Sequence, residues 1–204
     1  MTTLARNPGL PAPCPTRRQW LLATAGLGGA FAVTAIVPFI SSMQPSERAK
    51  AAGGPIEIDI SRLAPGTLMV AEWRSQPVWI LHRTPEMIEA LQGHESRLVD
   101  PDSGVRHQPD YATNATRSVR PEIFVAIGIC THLGCSPTTA FEPEPVTVGA
   151  GWPGGFICPC HGSTFDLAGR VFKDKPAPTN LVVPPHHFVS DSRLVVGEDA
   201  RGTA

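Results

Sequence analysis

The sequence of 204 residues has no excess of either charge and no segment that repeats. Its 17 basic and 18 acidic residues give a formal net charge of -1, which argues against a nucleic-acid partner, because such partners call for a surplus of positive charge. The absence of internal repeats and low-complexity tracts excludes a repeat array. Only five cysteines are present, and a head of ordinary size can build its core without disulfide staples, so a purely structural disulfide framework is disfavoured.

Glycine and proline, in contrast, are plentiful, with 19 and 22 residues. This composition predicts many turns and short strands. Residues 20–40 differ from the rest, because they are apolar and uncharged and are long enough for roughly 30 Å of helix, which spans a bilayer core. The sequence therefore predicts one transmembrane anchor, and the polar residues after it show no cleavage site, so we expect the anchor to be retained.

Two arginines, Arg17 and Arg18, stand directly before this apolar run. They resemble a twin-arginine (Tat) export signal, and they place residues 1–19 in the cytoplasm as a tail and the rest of the chain outside. Residues 41–54 are small and polar and are interpreted as a flexible hinge linker. Residues 55–204 form the head.

Alternating and continuous apolar segments predict a head built mainly of short strands. We expect a helix over residues 84–92 with Thr84 as its cap, and a long surface insertion over residues 93–121. The predicted fold class is mainly β: an antiparallel β-sandwich with an inserted subdomain at about residues 122–180, preceded by one transmembrane helix. The predicted strands are residues 56–60, 67–73, 77–83, 123–129, 170–172, 181–183, 187–189 and 193–196.

Two short motifs, CTHLGC at residues 130–135 and CPCHGS at residues 158–163, contain four of the five cysteines. Each motif can present one thiolate and one imidazole to a metal, from Cys130 and His132 in the first and from Cys158 and His161 in the second. Two sulfur and two nitrogen ligands also fit a tetrahedral Zn²⁺ site. A mononuclear zinc site does not need the remaining cysteines, one in each motif, which in an oxidising compartment could pair and clamp the loops together.

The two motifs resemble those of the Rieske iron–sulfur proteins, which bind a [2Fe–2S] cluster through two cysteines and two histidines. The resemblance implies that Cys130 and Cys158 bind the inner iron, and that His132 and His161 bind the outer iron. It also implies a disulfide between Cys135 and Cys160.

The same resemblance implies further residues that tune the cluster. Ser163 would donate a hydrogen bond to a sulfide, and Pro176 belongs to a segment similar to the family's proline loop. Phe165 stands where better-known respiratory members have a tyrosine, and it cannot donate a hydrogen bond to a ligand sulfur. The full set of tuning residues is Leu133, Gly134, Gly162, Ser163, Phe165 and Pro176.

The resemblance extends over residues 120–137 and 169–185 and includes the N-terminal anchor. It is a resemblance to the iron–sulfur subunit of the proteobacterial cytochrome bc1 complex, ubiquinol:cytochrome c reductase, a translocase. This implies that the subunit takes one electron and a proton from ubiquinol at cytochrome b and passes the electron to cytochrome c1, with His161 as the catalytic residue. It further implies a dimeric complex in the bacterial inner membrane, with the head in the periplasm.

Other interpretations of the motifs remain open. A Rieske ferredoxin or ring-oxygenase domain shares the four ligands but lacks the Cys135 and Cys160 pair and the anchor. The small subunit of arsenite oxidase shares the cluster and the export signal, and a membrane-tethered zinc module would have no redox role. The other histidines are expected to be surface or strand residues without a ligand role: His82, His94, His107, His186 and His187.

Overall fold

The computed structural model describes residues 15–46, 49, 53–143 and 151–202. The chain divides into two compact units, Met1–Lys50 and Ala51–Ala204. Most of the predicted tail, residues 1–14, and residues 47, 48 and 50–52 of the predicted linker lie outside the described residues.

The first unit contains one long helix, α1, at Pro15–Ser42. An 18-residue window within its segment Thr16–Ser42 has a mean hydropathy of 1.8, and the side chains of this segment are exposed. Two of its few polar side chains are satisfied within the helix, because the hydroxyls of Thr24 and Thr34 donate to carbonyl oxygens one turn earlier, at 2.9 Å and 3.0 Å. A helix of this length and composition can cross a bilayer, and it extends past both ends of the predicted span.

The described residues of the head form nine strands in three antiparallel sheets of three. The sheet orders are β1-β9-β8, β2-β3-β4 and β5-β6-β7. This confirms the predicted mainly β, antiparallel fold with one N-terminal apolar helix. The strands are β1 Ile56–Asp59, β2 Leu68–Trp73, β3 Gln76–His82, β4 Ile123–Ile127, β5 Thr138–Ala140, β6 Gly155–Ile157, β7 Thr164–Asp166, β8 His186–Phe188 and β9 Arg193–Val196.

The sheet β2-β3-β4 lies between two apolar cores, since successive side chains of a strand point to opposite faces. In β3, Val78 belongs to the core shared with β1 and β9, whereas Trp79 belongs to the core that contains Cys130 and Cys158. Phe124 of β4 also belongs to the second core. The continuous apolar run of β4 is therefore explained by burial on both faces.

A short helix, α2, at Pro85–Glu89, follows β3. The hydroxyl of Thr84 accepts a hydrogen bond from the Met87 backbone N–H at 3.3 Å, which confirms the predicted cap. The helix ends three residues before the predicted end.

Two predicted strands, residues 170–172 and 181–183, are wrong. Their backbone groups bond to different partners instead of one neighbouring strand: the Val171 N–H donates to Asn180 Oδ1 at 2.9 Å, and the Leu181 N–H donates to the Gly169 carbonyl at 2.8 Å. Residues 171 and 172 form only isolated bridges. The three-residue strands β5, β6 and β7 were not predicted, and they are too short to show a period.

The segment 93–121 is only partly a surface insertion, so this expectation needs correction. It includes two turns of 3₁₀ helix, Glu95–Arg97 and Asp110–Ala112. It also sends Leu98 and Arg117 into the interior, where they are 1% and 0% exposed.

Candidate metal centre

The first motif follows β4 as a closed loop. The Cys130 N–H donates to the Cys135 carbonyl at 2.7 Å, and the Gly134 N–H donates back to the Cys130 carbonyl at 3.1 Å. These two bonds close the loop, in which Cys130 is buried and the turn at Leu133 and Gly134 is exposed to solvent.

The second motif is the loop of the β6-β7 hairpin, and it has the same pattern. The Cys158 N–H donates to the Ser163 carbonyl at 2.7 Å, and the Gly162 N–H donates to the Cys158 carbonyl at 2.9 Å. The two loops are thus equivalent in their backbone bonds, although the histidine stands at the third position in one motif and at the fourth in the other.

Both loops turn at a glycine in the left-handed region, with φ of 83° at Gly134 and 73° at Gly162. A Cβ at either position would meet no protein atom within 4 Å, so the left-handed conformation is what favours glycine within the protein itself.

The predicted ligands of the two loops lie close together. Cys130 and Cys158 are free thiols, each 2% exposed. The imidazoles of His132 and His161 have ring centroids 4.8 Å apart at 88°, with His132 half-buried and His161 exposed. Two buried thiols therefore lie beneath two imidazoles that reach solvent.

Burial raises the pKa of the Cys130 thiol, and the neighbouring Cys158 thiol acts in the same direction. Hydrogen bonds from the His132 backbone and from the Ser163 hydroxyl act the other way and lower the pKa. A buried thiol whose ionisation is opposed in this way is suited to bind a cationic group, which stabilises its thiolate.

A disulfide joins Cys135 to Cys160, which confirms the expected pairing. It links the first loop to the second and lies close to the buried thiol of Cys158, because the Sγ atoms of Cys135, Cys158 and Cys160 are all within 4.8 Å of one another. Two of these three sulfurs are already bonded to each other, so the group is a clamp beside a thiol and does not form a three-thiolate metal site.

The predicted proline loop packs against both motifs. The Ala177 N–H donates to Ser163 Oγ at 3.0 Å, and Thr131 Oγ1 donates to the Thr179 carbonyl at 2.7 Å. Because Ser163 Oγ accepts from Ala177, its own proton remains available to a sulfur in the site, while Pro176 itself is exposed. Thr131 was not predicted, and only its place between two candidate ligands marked it.

Two other predicted tuning residues differ in exposure. Leu133 is 72% exposed at the tip of the first loop, whereas Phe165 of β7 is 0% exposed in the same core as Cys130 and Cys158. Leu133 is therefore at the solvent-facing end of the site, and Phe165 packs in the core that contains the two thiols.

A buried ionic cluster behind the second loop was missed in the sequence. Asp166 Oδ2 accepts from Arg170 Nε at 2.7 Å and lies 3.2 Å from His94 Nε2, while its Oδ1 accepts from the Ala168 and Arg170 backbone N–H groups. Burial opposes ionisation of Asp166, but the bonds from His94 and Arg170 outweigh it and lower the pKa of this carboxyl. Asp166 therefore fixes the turn that follows β7.

His94 is buried, at 5% exposure, and lies outside the strands, so the prediction of a surface or strand position is wrong for it, whereas His186, at 1% exposure, is a strand residue as predicted. His186 lies in β8 and lines a cavity of about 860 Å³ together with Tyr111 and Arg120. None of the predicted ligands lines this cavity, so the candidate centre is an exposed tip and not a pocket.

The donor set fits a [2Fe–2S] cluster. Two adjacent buried thiols suit one iron, and two neighbouring imidazoles at the rim suit a second iron nearer to solvent. The equivalent loops and the disulfide hold the two pairs against each other. The residues that would bind the cluster are Cys130, His132, Cys158 and His161.

Two protein-family descriptions match this chain. The Rieske [2Fe-2S] domain matches residues 104–185, and the "Ubiquitinol-cytochrome C reductase Fe-S subunit TAT signal" matches residues 12–46. A solved structure titled "Hyperthermophilic respiratory Complex III" has 25% sequence identity and a TM-score of 0.46, covering 85% of this chain and 97% of that chain.

Curated relatives match over almost their whole length. The ubiquinol-cytochrome c reductase iron-sulfur subunit of Allochromatium vinosum is 57% identical over 188 residues, which is 92% of this chain and 90% of the relative. The protein of the same name from Bradyrhizobium diazoefficiens is 43% identical over 90% of this chain and 95% of its own. The chain belongs to the family of ubiquinol-cytochrome c reductase iron-sulfur subunits and carries the Rieske [2Fe–2S] domain of that family.

Proposed function

We propose that this chain is the membrane-anchored electron carrier of a quinol:cytochrome c oxidoreductase, the bc1 complex. The observation that carries the proposal is the set of two buried thiols beneath two solvent-reaching imidazoles, clamped by a disulfide. The near full-length similarity to ubiquinol-cytochrome c reductase subunits supports the same function.

In this proposal Cys130 and Cys158 bind the inner iron, and His132 and His161 bind the outer iron. When bound, the cluster supplies a one-electron couple in the range of roughly -150 to +300 mV, which suits a mild reductant such as a quinol. The neutral imidazoles, in place of thiolates, keep the negative charge at the rim low. The buried thiols keep the inner part of the site away from water.

His161 is the residue that meets the quinol. It is exposed, whereas His132 is half-buried, so His161 is the more accessible imidazole. Its ring nitrogen that faces solvent, in the deprotonated form of the bound ring, accepts the hydrogen bond of the quinol hydroxyl and takes the quinol proton, while the quinol electron passes to the cluster. Without that acceptor the quinol is neither held nor deprotonated.

The tip suits an apolar partner site. Residues 130–137 and 158–163 contain no Asp, Glu, Lys or Arg, and Leu133 is 72% exposed beside the imidazoles. Such a surface buries readily against the quinol site of cytochrome b, and it can be released again to meet cytochrome c1. Residues 41–54 act as the hinge linker for that movement.

The anchor places the subunit in the bacterial inner membrane. Helix α1 crosses the bilayer once, and Arg17 and Arg18 at its start keep the N-terminus in the cytoplasm, so the head lies in the periplasm. We expect the subunit to work within a dimeric complex that oxidises ubiquinol.

The test is EPR spectroscopy of the reduced full-length protein in detergent, comparing two histidine variants. The wild type should give a rhombic [2Fe–2S] signal with hyperfine coupling to two nitrogens. His161→Ala should lose one coupling or the cluster itself, together with quinol:cytochrome c activity in the assembled complex. His187→Ala, a half-buried histidine of β8, is the matched control and should keep both couplings. A colourless protein that contains zinc, or a signal without nitrogen coupling, contradicts the proposal.

A further inference from the structure

Positive charge is in excess in the interior of the head. Among the described residues, Arg83, Arg117 and Arg170 are at most 1% exposed, and Asp166 is the carboxylate buried with them, at 0%. Arg170 pairs with Asp166 at 2.7 Å. The guanidinium groups of Arg83 and Arg117 therefore lack a buried counter-ion among these residues.

Arg117 is bound by neutral groups. It donates to the carbonyls of Ala168 and Leu181 at 3.0 Å and 2.8 Å, and to Gln108 Oε1 at 2.9 Å. Burial lowers its pKa to about 10, which Asp166 partly opposes, so it is still a cation at neutral pH. Asp100, which also attracts it, is half-exposed, and water screens that charge.

Arg83 is held in the same way. It donates to the Thr116 carbonyl at 3.0 Å and to Ser118 Oγ at 2.5 Å, and its Nη1 lies 3.4 Å from the Leu167 carbonyl. Burial lowers its pKa to about 10 as well, which leaves it charged, and Glu122 nearby is half-exposed. Both arginines carry a buried Nε without a hydrogen-bond partner.

These cations touch the apolar core that contains the two thiols. Ala168 and Leu181, which accept from Arg117, belong to that core together with Cys130 and Cys158. The Arg83 guanidinium carbon lies 5.3 Å from the ring centroid of Phe124, another member of the core. Electrostatic interactions across such a core are screened far less than through water.

We propose that Arg83 and Arg117 act as electrostatic tuning residues that hold the reduction potential of the cluster high. Reduction adds one negative charge to the cluster that Cys130, His132, Cys158 and His161 would hold, and a buried positive charge stabilises the reduced state more than the oxidised state. Asp166 acts in the opposite direction. The inference rests on the proposed function, because it requires a cluster bound between the two loops.

The test is potentiometry of full-length variants in detergent, with each cluster monitored by EPR and visible circular dichroism. Arg83→Met and Arg117→Met should lower the potential, whereas Arg83→Lys and Arg117→Lys, of similar length but charged, should stay near the wild type. Asp166→Asn should raise it. Arg193→Met removes an exposed positive charge of β9 that pairs with Glu57 of β1, and it should leave the reduction potential unchanged. The difference between Lys and Met variants should persist in high salt, because buried charges are weakly screened.

The potential should fall in the arginine-to-methionine variants and rise in Asp166→Asn. These opposite shifts distinguish an effect of charge from a loosening of the structure, which would not depend on the sign of the charge removed. Equal shifts in the Lys and Met variants of both sites, or a lowered potential in Asp166→Asn with an intact spectrum, overturn the inference. If Asp166→Asn does not bind a cluster, the comparison of the potentials of the Lys and Met variants at each arginine tests the inference. If a Met variant does not bind a cluster, the potential of Asp166→Asn tests it. A wild type without a [2Fe–2S] signal would contradict the proposed function itself, whereas intact signals with unshifted potentials contradict only the tuning role.

Discussion

Removing the disulfide tests how the two loops are held together. Cys135 and Cys160 are 25 residues apart in sequence. In the chain-entropy description, a cross-link that closes a loop of this length destabilises the unfolded state by about 3.5 kcal/mol. The double variant Cys135→Ala/Cys160→Ala should lose most of that free energy of unfolding, and its ligand loops should loosen, so that the cluster is retained less well and its potential falls.

The assay is urea unfolding of the full-length protein in detergent, followed by tryptophan fluorescence and by the visible absorbance of the cluster. A loss of this size lowers the urea midpoint by roughly 1 to 3 M, given the usual slopes for domains of this size. Cys14→Ala is the matched control, because it removes the one cysteine outside the two motifs and should leave the midpoint unchanged. A disulfide reductant should lower the midpoint of the wild type and have no effect on the double variant.

Two results would refute this reasoning. If thiol reagents label both Cys135 and Cys160 in the native, non-reduced protein, the pairing itself is wrong. If the pair is bonded but the double variant unfolds at the wild-type midpoint, the loop is already restrained by other contacts, such as the bonds of the proline loop to Ser163 and Thr131.

Phe165→Tyr should raise the reduction potential by some tens of millivolts, because a new hydrogen-bond donor near a ligand sulfur stabilises the reduced state. About 59 mV corresponds to a tenfold change in equilibrium constant. An unchanged or lower potential in protein-film voltammetry would show that position 165 does not reach the cluster. The lowered pKa of Asp166 means that its bonds stabilise the head above the ordinary carboxyl pKa of about 4 and lose that effect as pH falls through the lowered pKa. Asp166→Asn should therefore flatten the acid limb of thermal stability plotted against pH, and an unaltered limb contradicts this assignment. Mass spectrometry of the membrane fraction should recover peptides that precede Trp20, whereas a periplasmic chain that starts near Ala51 would show that the anchor is cleaved.

The local features of the site could be predicted from the sequence because they depend on near neighbours. The two motifs place each thiol and imidazole within a loop of six residues, and Thr84 and Pro85 mark the start of α2 in the same local way. The strand Arg193–Val196 was predicted with its observed bounds, and its side chains alternate in burial, with Leu194 and Val196 fully buried.

The remainder depended on contacts between residues far apart in the chain. Arg117 is an ordinary polar residue in an irregular segment, and only the carbonyls of residues 168 and 181 explain its burial. The partner of His94 lies 72 residues away, at Asp166, so no spacing rule connects them. The segments 170–172 and 181–183 resembled strands because of their valine, leucine and phenylalanine residues. A buried segment without a neighbouring strand can have the same apolar residues as a strand within a sheet.

The pairing of β1 with β9 determines when the head can be completed during synthesis. Ile56 of β1 is opposite Val196 of β9. The strand β1, which leaves the ribosome before the other described strands, therefore cannot pair until β9 has been synthesised. The sheet β1-β9-β8 therefore closes only once β9 has been synthesised, after the other eight described strands of the head. An early stop codon that removes β9 would leave two strands of that sheet without their shared neighbour, and such a product should be degraded before it reaches an exporter that accepts folded cargo.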